Sequence, residues 1–127
     1  MSWAVLDASA ILALIFDEPG AEHLTDDVME WAVASTVNRA EVQAKLIQKG
    51  YSPDEAWSDV QELVSDEPYT AEQAKIAGTL IQQTARYGLS LGDRSCLALA
   101  IVLKAPVYTT EQIWKNVQVG VPIHVIR

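Results

Sequence analysis

The chain has 127 residues, of which 50% are hydrophobic and 20% charged, with 9 Lys and Arg against 17 Asp and Glu. This composition excludes a disordered chain and suits one domain of ordinary size. The net charge of −8 at pH 7 ranks nucleic acid low among ligands on composition alone, because like charges repel. The single Cys excludes an internal disulfide framework and a zinc site built from several cysteines.

Short runs rich in Val and Ile alternate with longer helical patterns. In chain order the patterns predict a strand at residues 3–6, helices at 9–16 and 21–31, a short strand at 32–35, helices at 37–49, 53–64, 71–87 and 92–104, and strands at 107–109 and 123–126. Gly50 marks one helix end, Ser52 caps the next helix, and Thr70 with Gln73 forms a capping box. Short apolar strands alternating with helices predict an α/β fold with a mainly parallel sheet.

The N-terminal segment carries no mark of export. Residues 1–3 lack a basic flank, and the apolar run at residues 11–16 is far too short to span a bilayer. We therefore expect a cytoplasmic protein that has no membrane partner.

Four acids stand where a soluble fold does not ordinarily place them. In an open α/β sheet the site lies outside the carboxyl ends of the strands, and Asp7 and Glu111 each follow a predicted strand. Glu41 and Asp93 fall within the apolar stripes of two different helices. Two like charges 4 Å apart repel by about 4 kcal/mol at an effective dielectric of 20, and a divalent cation converts that repulsion into attraction. Oxygen ligands of this kind suit Mg²⁺ and Mn²⁺.

Each acid also has an ordinary structural interpretation. Asp7 and Asp93 can cap the helices that follow them, and Glu111 can complement a helix dipole. Glu41 can pair with Lys45 four residues later on a solvated face. The metal hypothesis depends on all four acids occurring together.

Four segments, in order along the chain, resemble the motifs of PIN-domain proteins, specifically the VapC-type toxins of bacterial and archaeal toxin–antitoxin pairs. The segments are residues 5–10, 35–42, 88–100 and 108–114, and their acids are Asp7, Glu41, Asp93 and Glu111. The third segment is the most specific. The fourth departs from the family pattern, which more often has Asp where this chain has Glu111.

The resemblance implies a PIN-like three-layer α/β/α fold, with a mainly parallel central sheet of about five short strands, in a single domain over residues 1–127. It implies an endoribonuclease that hydrolyses RNA phosphodiester bonds with one or two Mg²⁺ or Mn²⁺ ions. The residues implied to be both catalytic and metal-binding are Asp7, Glu41, Asp93 and Glu111. Those implied to contact substrate or support the acids are Ser9, Asn38, Arg94 and Thr109. The implied partners are an RNA substrate, a VapB-like antitoxin and a second copy in a homodimer.

Two other functions remain open at this point. One is a PIN-like domain that binds RNA or a partner without cutting, which Glu111 favours. The other is a phosphatase of the haloacid dehalogenase type, although that class needs an acid where this chain has Ser9.

His23 and His124 have no His or Cys partner at the spacing of metal ligands, so both are predicted to be surface or edge residues. Cys96 is predicted to be a core residue.

Overall fold

The structure is a computed structural model that describes residues 2–127. One sheet of five parallel strands has the order β3-β2-β1-β4-β5. The strands are β1 (Ala4–Leu6), β2 (Ala32–Ser35), β3 (Ser65–Glu67), β4 (Val107–Thr109) and β5 (Ile123–Val125). The helices are α1 (Ala8–Phe16), α2 (Asp26–Met29), α3 (Thr36–Gln48), α4 (Pro53–Gln61), α5 (Ala71–Thr79), α6 (Ile81–Thr84) and α7 (Leu91–Leu103). Short 3₁₀ turns span Ala21–His23, Ala85–Tyr87 and Gln112–Asn116.

Helices cover both faces of the sheet because strand side chains alternate between two cores. In β1, Leu6 belongs to the core formed with α1, α3 and α4, whereas Val5 belongs to the core formed with α7 and Trp114. The predicted three-layer α/β/α architecture is therefore confirmed, and the sheet is parallel throughout.

The edge strand β3 was missed by the sequence patterns because its three residues are all polar. Its place in the fold depends instead on Arg39 of α3, whose side chain is 1% exposed. Arg39 forms an ion pair with Asp66 of β3, donates a hydrogen bond to the Trp57 carbonyl at 3.2 Å, and lies 4.0 Å from the Trp57 ring centroid. One buried cation thus joins α3, α4 and β3.

Two predicted helices are interrupted. The helix expected at residues 21–31 is a 3₁₀ turn followed by α2, because Thr25 between them has extended backbone angles. The helix expected at 71–87 breaks into α5, α6 and a 3₁₀ turn. Thr79 and Thr84 each donate a hydroxyl hydrogen bond to the carbonyl four residues back, an arrangement that often bends helices.

The predicted helix ends differ from the structure in two further details. Thr70 caps α5 as expected, but the Gln73 amide donates to the Pro68 carbonyl, so the second half of the capping box is not formed. Helix α4 ends at Gln61 rather than residue 64, because the chain then turns into β3. No helix within residues 2–127 is both long and apolar enough to cross a membrane.

Candidate active site

Asp7 lies at the carboxyl end of the central strand β1 and is almost fully buried, with 3% of its surface exposed. Its Oδ1 accepts hydrogen bonds from the Ser9 hydroxyl at 2.7 Å and the Ala10 N–H at 2.8 Å, and its Oδ2 accepts one from the Thr109 hydroxyl at 2.6 Å. Asp7 therefore caps α1, as its structural interpretation predicts. Burial nevertheless raises the pKa of Asp7 to about 6, although these hydrogen bonds lower it.

Ser9 and Thr109 connect β1 to the turn that follows β4. Their hydroxyl oxygens are 3.3 Å apart, the Thr110 N–H donates to Ser9 Oγ at 3.0 Å, and the Glu111 N–H donates to Thr109 Oγ1 at 3.1 Å. Both hydroxyls thus hold Asp7 and fix the backbone at Glu111. Glu111 is exposed and directly precedes the 3₁₀ turn Gln112–Asn116.

Glu41 is held against the start of α7. The buried Asn38 amide donates to Glu41 Oε1 at 2.8 Å and to the Gly92 carbonyl at 3.1 Å. A Cβ atom at Gly92 would lie 2.6 Å from Glu41 Oε1, so only glycine leaves room for this carboxylate. The sequence prediction that Glu41 lies in an apolar stripe facing the core is wrong, because Glu41 is exposed, as are Ala40 and Ala44 of the same predicted stripe. Within residues 2–127 Glu41 forms no salt bridge with Lys45.

Asp93 lies in the first turn of α7 and is half-buried. Its Oδ2 accepts a hydrogen bond from the Ser90 N–H at 2.9 Å, and its own N–H donates to Ser90 Oγ at 3.1 Å, which completes a capping box. Arg94, predicted to contact substrate, is turned the other way. Its guanidinium donates to the Ala77 carbonyl of α5 at 2.9 Å, because the next position on a helix points about 100° around the axis.

One pocket of about 230 Å³ brings the four predicted acids together. Its lining residues are Asp7, Ala8, Ser9, Leu12, Asn38, Glu41, Lys45, Asp93 and Glu111. The four acids line the pocket but are not close enough together to bind one ion jointly. Among residues 2–127 no three His, Cys, Asp or Glu side chains lie close enough to hold a single metal ion. Thr109 contributes through Asp7 rather than by lining the pocket.

Two contributors to this pocket were missed by sequence reasoning. Gly92 could have been found, because a glycine in the first turn of a helix lowers helix stability and signals a close approach. Lys45 appeared in the sequence only as a pairing partner for Glu41, whereas in the structure it is the one basic side chain among the pocket-lining residues.

Cys96 is fully buried, and burial raises the pKa of its thiol well above the ordinary value, so it is a core residue and not a nucleophile.

The chemistry of the pocket suits a hard divalent cation. Its donors are carboxylate oxygens, with no sulfur or imidazole among them. Among residues 2–127 the buried Asn38 Oδ1 has no hydrogen-bond partner, so the site also has an unpaired acceptor beside Glu41. Burial raises the pKa of Asp7 and so disfavours its ionised form, which a bound cation would favour. In chemical type, though not in their present spacing, the donors among residues 2–127 therefore fit Mg²⁺ or Mn²⁺.

A family model described as the PIN domain matches residues 4–119. The chain belongs to the PIN domain family. The family predicted from the four motifs is thereby confirmed. A search among curated proteins gave no match.

Solved structures of VapBC and VapC proteins share this fold. DNA-bound VapBC from Salmonella typhimurium is 16% identical with a TM-score of 0.73, and the match covers 97% of each chain. VapBC-5 from Mycobacterium tuberculosis is 18% identical with a TM-score of 0.69 over 98% of each chain. VapC20 from Mycobacterium tuberculosis, a toxin that cleaves the sarcin–ricin loop, is 16% identical with a TM-score of 0.71 over 94% of this chain and 98% of that chain. At these identities the likeness establishes the fold.

Proposed function

We propose that this chain is a VapC-type toxin, a single-domain cytoplasmic endoribonuclease that requires Mg²⁺ or Mn²⁺. The observation that carries the proposal is that one pocket is lined by Asp7, Glu41, Asp93 and Glu111, which come from four separate elements. Membership of the PIN domain family and the shared fold with VapC structures support it.

In this proposal Asp7, Glu41 and Asp93 hold the metal, and Glu111 completes the set. A divalent ion supplies Lewis acidity, which makes water a stronger nucleophile and offsets charge that develops on the phosphate. The chain itself orients these carboxylates by hydrogen bonds. Three donors hold Asp7, the Asn38 amide holds Glu41, and the Ser90 N–H holds one oxygen of Asp93.

Lys45 has a separate role in the proposal. Lys45 lines the same pocket as the four acids, and we propose that its ammonium group binds a phosphate oxygen of the substrate there. The pocket therefore contains both carboxylates and a lysine. This combination suits a phosphodiester that carries a bound cation better than it suits an anion or a cation alone.

We further propose a VapB-like antitoxin and a homodimer as the assembly. The solved VapBC neighbours are complexes of a toxin with its antitoxin. The net charge of −8 favours a basic partner, and an antitoxin Arg inserted among the pocket acids would neutralise them as the cation does. We expect a small antitoxin gene immediately upstream, and co-expression with it, followed by light scattering, tests both assemblies.

The test of the activity is cleavage of a panel of hairpin RNAs, including a sarcin–ricin loop, with Mg²⁺ or Mn²⁺. We expect cleavage that EDTA abolishes and that Asp7→Asn reduces by at least a hundredfold. Lys75→Asn, an exposed substitution on α5, serves as the matched control and should cleave normally. Cleavage that survives both EDTA and Asp7→Asn would contradict the metal mechanism.

A second candidate function is binding of RNA or a partner without cleavage. The observation that favours it is the spacing of the acids, which do not close on a common point within residues 2–127. Retention of the hairpin RNA by the wild-type chain, with no cleavage under either metal, would select this function over the nuclease.

A further inference from the structure

A second cleft, separate from the acidic pocket, runs along the edge strand β5. It has a volume of about 520 Å³, and its polar lining residues are His23, Tyr108, Lys115 and His124. The remaining lining residues are Ile123, Val125 and Ile126. Three basic side chains and no acid line this surface, which we call the basic cleft, in a chain whose net charge is −8.

The backbone around residue 20 holds His23 beside β5. Gly20 has a φ of 101°, and a Cβ atom there would lie 2.5 Å from the Ile126 carbonyl oxygen. The Arg127 Nε donates to the Pro19 carbonyl at 2.8 Å and ties the same two segments together. Because the 3₁₀ turn that carries His23 follows Gly20 directly, this close approach brings two histidines that are 101 positions apart in sequence into one cleft.

The other side of the basic cleft is equally well placed. Tyr108 of β4 and His124 of β5 are partners in the sheet register, and their rings stack with centroids 4.8 Å apart and planes at 26°. Lys115 reaches the cleft from the 3₁₀ turn Gln112–Asn116. The cleft is thus formed by the sheet edge and by the turns on either side of it.

The basic groups of this cleft are free to bind an anion. Within residues 2–127 the side chains of His23, Lys115 and His124 make no hydrogen bond in the structure and have no carboxylate within 4.0 Å. Two acids lie close to His23 in sequence. Glu18 pairs with Arg127 at 3.1 Å. Glu22 accepts hydrogen bonds from the Gly20 N–H at 2.9 and 3.1 Å but stays electrostatically coupled to His23, so Lys115 and His124 are the groups on which the inference depends.

We propose that the basic cleft binds a phosphate group of the RNA backbone beside the cleavage site, an inference that rests on the proposed function. Tyr108 precedes Thr109, which holds Asp7, so the cleft and the acidic pocket share strand β4. Lys115 lies four residues after Glu111, which is about 8 Å at the roughly 2 Å rise per residue of a 3₁₀ helix. A strand bound across the acids therefore passes within reach of the cleft.

The deciding experiment measures RNA affinity against salt concentration in the Asp7→Asn background, which retains substrate. The variants are Lys115→Gln with His124→Gln in one chain, and Lys75→Gln as a control that removes one charge from the exposed face of α5. We expect the double variant to bind more weakly, with a salt slope shallower by roughly 0.7 for each phosphate of single-stranded RNA that the protein no longer neutralises. The control should keep its slope, and equal slopes in all chains would overturn the proposal.

A titration followed by the NMR signals of His23 and His124 distinguishes the sources of the anion. RNA should shift both signals at concentrations that match its Kd. Saturation by inorganic phosphate with no response to RNA would overturn the proposal in favour of a small-anion site, and a response to polyglutamate alone would overturn it in favour of an acidic protein partner. The two proposals can fail independently. If the wild-type chain cleaves RNA but all salt slopes are equal, the phosphate-binding role of the basic cleft is refuted and the nuclease is not. If the salt slopes differ but no RNA is cleaved, the nuclease is refuted and the binding role of the cleft is not.

Discussion

Asp7 combines two requirements that oppose each other. Its carboxyl group must be fixed precisely, which three hydrogen-bond donors achieve, but the burial that accompanies this fixation penalises the ionised form and raises the pKa to about 6. The metal-free protein therefore carries a destabilising charge at neutral pH. A bound cation would relieve that cost, so stability and metal affinity are linked through this one residue.

The first prediction is that Asp7→Asn stabilises the metal-free protein at high pH. Above about pH 6 the buried Asp7 carboxylate is ionised in the folded state, and its ionisation lowers the free energy of unfolding. This loss shrinks as the pH falls from about 6 towards 3.8, the ordinary pKa of an Asp carboxyl group, because Asp7 is then protonated in the folded state. Asparagine still caps the helix and accepts from Ala10. The free energy of unfolding in EDTA, measured with urea, should rise by up to about 3 kcal/mol at pH 8 and much less at pH 4. A loss of stability at pH 8 would contradict the assigned burial penalty.

Gly92 supports a second prediction, which separates the site from the stability of the fold. Gly92→Ala suits the helix, since alanine is favoured over glycine by about 1 kcal/mol, but its Cβ atom displaces the flexible Glu41 carboxylate. We expect RNA cleavage to fall at least tenfold while the melting temperature stays equal or rises. Gly78→Ala on α5, where a Cβ atom meets nothing within 4 Å, is the matched control and should cleave normally. Full activity of Gly92→Ala would show that the position of Glu41 does not matter.

At the scale of secondary structure, the Arg39 side chain holds an edge strand that has no apolar residue of its own. Arg39→Met removes the ion pair with Asp66, the hydrogen bond to Trp57 and the stacking on its ring. Because Asp66 is 34% exposed and can be solvated, we expect a loss of about 2–4 kcal/mol, near the lower end for a broken buried pair.

Two measurements check this expectation for Arg39→Met. Urea unfolding gives the total loss, and amide hydrogen exchange should show faster exchange in β3 than in β1. Arg86→Met at an exposed position should change stability by no more than about 0.5 kcal/mol. Unchanged exchange in β3 would mean that the strand does not depend on Arg39.

The elements that could be predicted from sequence are those whose own residues carry the signal. Strands β1, β2 and β4 place alternate side chains in the two cores, and Ser52, Thr70 and Ser90 cap the helices that follow them. Strand β3 escaped prediction because its stability comes from Arg39, 27 positions earlier. The helix interruptions escaped prediction because they depend on the extended backbone of Thr25 and on the hydroxyl hydrogen bonds of Thr79 and Thr84.

The same distinction applies to the site. Asp7 and Glu111 follow strands, so topology alone brings them together, and the family motifs indicated Glu41 and Asp93. The direction of Arg94 could not be predicted, because it depends on where α5 packs. Nor could the basic cleft, since His23 and His124 meet only through the contact of Gly20 with the chain end.

For the whole molecule, the charge of −8 acts on folding and on binding together. Self-repulsion destabilises a compact chain of this charge, and monovalent salt should relieve part of it by screening. The four pocket acids concentrate some of that charge in about 230 Å³. If a divalent ion binds there as we propose, it should stabilise the protein by more than its contribution to ionic strength.

The whole-molecule prediction follows from this excess. At matched ionic strength, Mg²⁺ should raise the melting temperature of the wild-type chain above its value in NaCl, by several degrees once Mg²⁺ reaches about 100 times its Kd, where binding contributes about 2.7 kcal/mol. The excess should vanish in Asp7→Asn, which loses a proposed ligand, and persist in Asp59→Asn, which removes an equal charge from exposed α4. Equal melting temperatures in Mg²⁺ and NaCl would mean that the acidic pocket does not bind the ion, because screening acts on all 17 acids alike whereas binding acts only on those that line the pocket.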